Sequence, residues 1–276
     1  MSRLPLRIGT TSYIKPADIL PNVRFLGPQV DDIELVLFES EEASNLPDER
    51  TIEELTRLSE EHDLTYTVHF PLDIYPGSRD EKIREDAVSM LRRIVTLTEP
   101  LEPFGYVLHL TPDSYGPVPS DDLEAWLGAL DRSLEQFLTT TAIDPSLICA
   151  ETLSYPFELV YPLVLKHSLS VTLDIGHIWL MGYDSEEALD LLLERSRIYH
   201  LHGVNEGKDH LGLDEGDSSS IERFFERVVE QGKRDQKERV LTLEIFGERE
   251  WEASRSIVRQ SHAMMSAHSG GAYGNH

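Results

Sequence analysis

The segment VTLDIGHIWLMGYD, residues 171–184, places Asp174 and His177 three positions apart at the exit of an apolar run. An acid and an imidazole add little to packing there. What they can do is move protons or hold a cation. Five more histidines, His69, His109, His200, His202 and His210, also fall at the ends of apolar runs or just beyond them. Carboxylates occupy similar places: Glu39 in LFES, Glu151 in CAETL, Asp209 in GKDH and Glu244 in TLEIF. Taken singly, each has a structural explanation, a hydrogen-bonded histidine or a glutamate tying down a loop. Gathered on one rim, the carboxylates would repel one another and resist loss of water. A divalent cation removes both difficulties. Imidazole with carboxylate suits Zn²⁺, and also Mn²⁺ or Fe²⁺. Histidine binds metal in its neutral form, which an ordinary imidazole has at pH 7.

The elements that must carry these residues recur along the chain. Short apolar runs occupy 6–13, 32–40, 65–72, 106–110, 146–153, 169–176, 197–204 and 239–246. Each is rich in β-branched, aromatic or aliphatic residues and ends in a polar or glycine-bearing loop, which predicts eight strands. Amphipathic segments lie between them. Ile52, Leu55 and Leu58 share one helical face, and so do Ala87, Met90, Leu91, Ile94 and Leu97. A Ser-Asp signal opens the helix carrying Leu123, Trp126, Leu130 and Phe137, and SSSIERFFERVVEQG predicts a helix from Ser218 that stops at Gly232. Eight strands alternating with helices predict a (β/α)8 TIM barrel over residues 1–266. The Gly-rich 267–276 reads as a flexible tail. An open doubly wound sheet is the other possibility, weakened by the lack of a Gly-x-Gly-x-x-Gly loop. A barrel gathers the strand ends on one face, where active sites are built.

Composition narrows the partners. Asp and Glu number 50 against 25 Lys and Arg, a net charge of −25 over 276 residues. This argues against nucleic acid and against an anionic membrane surface as partners. No stretch approaches the roughly 18 apolar residues of a membrane span, and the first residues carry no secretory signal. The one cysteine, Cys149, permits neither an internal disulfide nor a Cys-rich zinc site and reads as a small buried hydrophobe. The expectation is a cytoplasmic protein acting on a small molecule.

These residues together resemble the endonuclease IV-like and xylose isomerase-like barrel superfamily over most of residues 6–246. LDIGHIWLMGYD resembles its Asp-x-x-His motif. The resemblance implies two or three divalent ions per chain. It implies that His69, His109 and Glu151 hold one ion, with Glu151 bridging to a second. Asp174, Glu244 and either His200 or His202 would complete the second ion's ligands, since residues two apart on a strand face the same way. His202, nearer the strand end, is preferred there. His177, Asp209 and His210 would hold a third ion, although Asp209 and His210 are adjacent here where the endonuclease pattern separates them. TSYIKPADILPNV, YTVHFPLDI and YVLHL are similar to stretches of the cobamide-remodelling phosphodiesterases. That family hydrolyses the phosphoribosyl linkage in the nucleotide loop of a cobamide to cobinamide phosphate and the riboside of the lower ligand.

Three functions follow for comparison. The first is metal-dependent phosphodiester hydrolysis of a cobamide, with Glu151 and Glu244 as catalytic residues. The second is a sugar or sugar-acid isomerase or epimerase using one metal and paired glutamates. The third is a binder of cobamide or metal without turnover. Tyr13, Tyr75, Trp179, Tyr183 and His200 are candidates for substrate contact. So are the hydroxyls of Thr10, Thr11 and Ser12, and the charges of Arg79 and Lys208.

Overall fold

The computed structural model describes residues 6–40 and 43–268, with side chains described to residue 261. Eight parallel strands close into a barrel: β1 (Leu6–Thr11), β2 (Asp32–Val36), β3 (Thr65–His69), β4 (Gly105–Leu108), β5 (Ile148–Glu151), β6 (Ser170–Asp174), β7 (Ser196–Leu201) and β10 (Arg239–Leu243). They coincide with the eight predicted runs, β4 and β7 each starting one residue earlier, and β2 closes the ring against β1. Between β7 and β10 an antiparallel hairpin, β8 (Gly203–Asn205) with β9 (Lys208–Leu211), rises from the rim. Glu206 and Gly207 at its tip both have positive φ, 50° and 75°, as a tight two-residue hairpin turn requires.

Helices wrap the barrel: α1 (Ile19–Leu26), α2 (Glu49–His62), α3 (Glu81–Thr98), α4 (Leu123–Thr141), α5 (Tyr161–Lys166), α6 (Ile175–Met181), α7 (Ser185–Leu192), α8 (Ser218–Asp235) and α9 (Glu248–His268). Part of the acidity caps them. Asp48, Asp80, Asp122, Asp174, Asp184 and Asp217 each accept a hydrogen bond from a first-turn backbone N–H. Such caps contribute about 1 kcal/mol each. The helix predicted to stop at Gly232 runs on to Asp235, because Gly232 is buried and Gln236 supplies the left-handed cap at φ 55°. The tail expected from residue 267 lies outside the described residues, except for its first two positions, which end α9. Among the described residues, no helix is long and apolar enough to cross a membrane.

The main core lies between strands and helices, with Trp126, Phe137, Phe224 and Trp251 fully buried. Inside the barrel a small apolar plug of Val107, Cys149 and Ile198 sits apart from it. Burial pushes the Cys149 thiol up to about 12, so it packs as a small hydrophobe.

Asp32, at the opposite end of β2 from the rim, is fully buried. Its carboxylate accepts from Thr65 Oγ1 at 2.6 Å and Thr67 Oγ1 at 2.9 Å. Burial pushes its pKa up to about 7 against these two hydrogen bonds; the Glu34 charge adds to the rise and Arg7 opposes it. The unfolded residue titrates at about 3.9, so between about pH 4 and pH 7 the native state holds a proton that the unfolded chain has lost. Asp32 therefore makes the fold less stable as pH rises through that window. Asp32→Asn should gain stability over the wild type at pH 8 and lose that advantage at pH 4. Urea unfolding at both pH values checks this, and an offset equal at both would contradict it.

Candidate metal centre

Asp174 ends β6 and is the N-cap of α6, its Oδ1 accepting from His177 N at 2.8 Å. The Asp-x-x-His spacing is thus a helix cap that places the histidine one turn onward. Asp174 Oδ2 is buried without a hydrogen-bond partner. His177 Nδ1 donates to the Thr152 carbonyl at 2.9 Å, leaving Nε2 free. Gly176 between them cannot be larger: a Cβ there would stand 2.2 Å from the His202 ring.

Glu151, fully buried at the end of β5, joins two groups of ligands. Its Oε2 faces His109 Nε2 at 2.6 Å and His69 Nε2 at 3.4 Å. His69 is turned that way because its Nδ1 donates to the Phe70 carbonyl at 2.7 Å. Glu151 Oε1 faces His200 Nδ1 at 3.1 Å, and Glu244 Oε2 lies 3.2 Å from the same nitrogen. Two sets result, His69–His109–Glu151 and Glu151–Asp174–His200–Glu244, each offering atoms within 4.8 Å of one another.

The preference for His202 in the second set is reversed: His200 occupies that place. Its other nitrogen, Nε2, donates to Glu34 Oε2 at 2.9 Å across the barrel. His202 lies in a third group with His177 and His210. Its Nδ1 accepts from His210 N at 3.0 Å, while Nε2 stands 3.3 Å from Asp174 Oδ1. His202 Nδ1 ties the hairpin to the barrel, and its Nε2 is buried without a hydrogen-bond partner. The hairpin delivers His210 with a left-handed backbone, φ 53°, and stacks its ring on His202 at 4.4 Å. Asp209 stands outside all three groups, 3.3 Å from His210 Nδ1.

Electrostatics make this pocket a cation site. Glu151 Oε2, Asp174 Oδ2, Glu244 Oε2 and Glu34 Oε1 are all buried without hydrogen-bond partners. Orphaned carboxylate oxygens converging on imidazoles fit divalent ions bound by nitrogen and oxygen. With the chain alone, protons take that role. Burial opposes charge on His69, but the Glu151 carboxylate outweighs it and raises the pKa to about 9. Burial likewise opposes charge on His210, and Glu244 raises it to about 9. His200 is held well above the ordinary value against burial by Glu34, Glu244 and Glu151. Burial disfavours the charge on Glu151 and Glu244, yet the histidines around them hold both well below the usual carboxylate range. The neutral imidazole expected at pH 7 is an isolated-residue value that these carboxylates overturn.

Several expected contacts lie elsewhere. Glu39 pairs with Arg93 on α3 instead of joining the cluster. Thr10 and Thr11 donate to the Leu243 and Ile245 carbonyls, and Ser12 accepts from Val36 N, so these hydroxyls tie strand ends together. The Tyr183 hydroxyl donates to the Ser154 carbonyl, and both Trp179 and Tyr183 pack against the core. Tyr13 accepts from Asn45 Nδ2 at 3.1 Å and lies beside Phe38, near the rim. Arg79 and Lys208 are exposed. Sequence reasoning missed Glu34, the second acid of the short DIELV strand.

A family model for xylose isomerase-like TIM barrels matches residues 29–268, and the chain belongs to that family. No curated protein matches it. Among solved structures it is similar to a D-tagatose 3-epimerase-like protein, with a TM-score of 0.76 and 21% identity over 96% of this chain and 100% of that one. It is similar to endonuclease IV from Thermus thermophilus, with a TM-score of 0.69 and 19% identity over 95% and 99%. A third is the IOLI protein with a bound zinc atom, with a TM-score of 0.66 and 14% identity over 98% and 100%. At these identities the likeness is one of fold.

Because His69 and His210 are protonated at neutrality, a metal must displace protons to bind. Affinity for Zn²⁺ should rise with pH from about 6 until it levels near 9. Calorimetry at pH 7 in buffers of different ionisation enthalpy should show at least one proton released per ion, with less release at pH 9. Binding that is independent of pH would contradict this.

Proposed function

We propose that this chain is a metal-dependent phosphodiesterase that hydrolyses the phosphoribosyl bond in the nucleotide loop of cobamides. The products would be cobinamide phosphate and the lower-ligand riboside, as in cobamide remodelling. The observation that carries the reading is Glu151, whose two carboxylate oxygens face different ligand groups. Bound as a pair, divalent ions supply Lewis acidity toward a water nucleophile and toward the phosphoryl oxygens. His69, His109 and Glu151 would hold one; Asp174, His200 and Glu244 would hold the other with Glu151. The chain's own part is to keep Glu151 and Glu244 ionised and to fix the His69 and His200 rings by a hydrogen bond on the far nitrogen. Glu244 Oε2 lies between His200 Nδ1 and His210 Nε2, at 3.2 and 3.4 Å, where it can serve as ligand or take a proton from the water.

The rim supports a large substrate. Phe38, Leu72, Tyr75, Tyr115, Val118 and Phe246 are exposed on loops that follow β2, β3, β4 and β10. Phe246 packs on His210 with ring centroids 5.4 Å apart, so the apolar rim reaches the cluster itself. Exposed apolar side chains on these loops suit a binding site, and a corrin macrocycle offers a broad apolar face to cover them. A small sugar does not.

A sugar isomerase or epimerase is the second reading, favoured by one observation: Glu151, Asp174, His200 and Glu244 suffice to hold a single ion. It leaves His69, His109 and the rim without a role. Metal content separates the readings, two ions per chain for the hydrolase against one for the epimerase.

Incubation of Zn²⁺-, Mn²⁺- or Fe²⁺-loaded protein with adenosylcobalamin and adenosylpseudocobalamin should yield cobinamide phosphate by mass spectrometry. No such product under any of the three metals would sink the proposal. Glu151→Gln should fold normally and lose more than about 100-fold in turnover, beyond the usual cost of an outer-shell change.

A further inference from the structure

Glu34 is the one buried carboxylate near the cluster that none of the expected ligand sets includes. It sits in the middle of β2, fully buried, and reaches across the barrel interior to β7, with β1 and β10 between the two strands around the ring. Its Oε2 accepts from His200 Nε2 at 2.9 Å, and its Oε1 has no hydrogen-bond partner. The opposite nitrogen of the same ring, Nδ1, is the atom that faces Glu151, Glu244 and Asp174 at 3.1, 3.2 and 3.8 Å. An imidazole has two nitrogens and, when neutral, one proton. Whatever holds that proton on Nε2 leaves the Nδ1 lone pair directed at the carboxylates. Two other rings of the cluster are held by backbone: His69 by the Phe70 carbonyl and His177 by the Thr152 carbonyl. His200 alone relies on a side chain from the far side of the barrel.

We propose that Glu34 is a positioning residue that fixes the ring orientation and tautomer of His200, and through it the affinity of the Glu151–Asp174–His200–Glu244 set for a divalent cation. The proposal rests on the metal-binding reading of the cluster. A carboxylate behind a metal-binding imidazole is worth roughly 10- to 100-fold in affinity. The effect is local. His69 in the His69–His109–Glu151 set has its own backbone support, and that set keeps its affinity when Glu34 changes.

The test is a Zn²⁺ titration of the full chain against a competing chelator, comparing wild type with Glu34→Gln and Glu34→Leu. Glutamine keeps an acceptor oxygen facing Nε2 and should stay within a few-fold of wild type. Leucine keeps the bulk without the acceptor and should weaken one ion by roughly 10- to 100-fold while the other is unchanged. Thr242→Val is the control. Thr242 lies beside His200 in the β10–β7 register, its hydroxyl is buried without a partner, and its loss should leave both ions unchanged. A readout independent of affinity is the ¹⁵N shift of the His200 ring with Zn²⁺ bound, which should show Nε2 protonated in wild type and Glu34→Gln. Should Glu34→Leu fail to fold, Glu34→Gln still decides, because a His200 ring protonated on Nδ1 in that variant or in wild type overturns the proposal. Wild-type uptake of Zn²⁺ with unaltered uptake by Glu34→Leu overturns this proposal alone. Wild-type protein that takes up no Zn²⁺ overturns it together with the reading beneath it.

Discussion

Repulsion among buried carboxylates is the constraint on which the rest of this structure depends. Glu34, Glu151, Asp174 and Glu244 lie at the mouth of the barrel, and all but the edge of Glu244 are out of reach of solvent. Two such charges about 5 Å apart, at an effective dielectric near 20, cost roughly 3–4 kcal/mol. Several such pairs approach the whole stability of a folded domain. The cluster survives because cations are interleaved with it: imidazolium protons when the chain is alone, and divalent ions by the reading argued above. Mutual attraction between carboxylates and imidazoliums raises His69, His200 and His210 and lowers Glu151 and Glu244, so the two sets of shifts have one origin.

The barrel makes this arrangement possible by giving every ligand the same kind of address. His69, Glu151 and Asp174 are the last residues of their strands; His109 and Glu244 come one residue after theirs. Backbone hydrogen bonding within the closed sheet holds those ends rigidly, so side chains from strands far apart in sequence meet within hydrogen-bond distance. The polar atoms that do find partners, such as His69 Nδ1 and His177 Nδ1, find them on backbone carbonyls at strand exits. Orientation is thus supplied by the fold itself, with Glu34 the exception.

Much of this was legible from the order of residues, for a physical reason. Apolar runs ending in His or acid are unusual in a pure core, and eight apolar runs in alternation with amphipathic helices leave few architectures. What stayed hidden was whatever needs three-dimensional neighbours. His200 and His202 are two apart, so periodicity could not choose between them; the closed barrel sets His200 against Glu151 and Glu244, and His202 beside His177 and His210. Glu34 reads as part of an apolar strand until the barrel closes and brings β7 opposite. Glu39 lies three residues beyond the end of β2 and pairs with Arg93. The helix expected to end at Gly232 continues because that glycine is packed rather than left-handed.

Element-specific anomalous diffraction from crystals grown with Zn²⁺ tests the central claim most directly. The account predicts two peaks, one among His69, His109 and Glu151 and one among Glu151, Asp174, His200 and Glu244, with Glu151 touching both. A map with no peak at the barrel mouth, and Glu151 hydrogen-bonded only to protonated histidines, would contradict it.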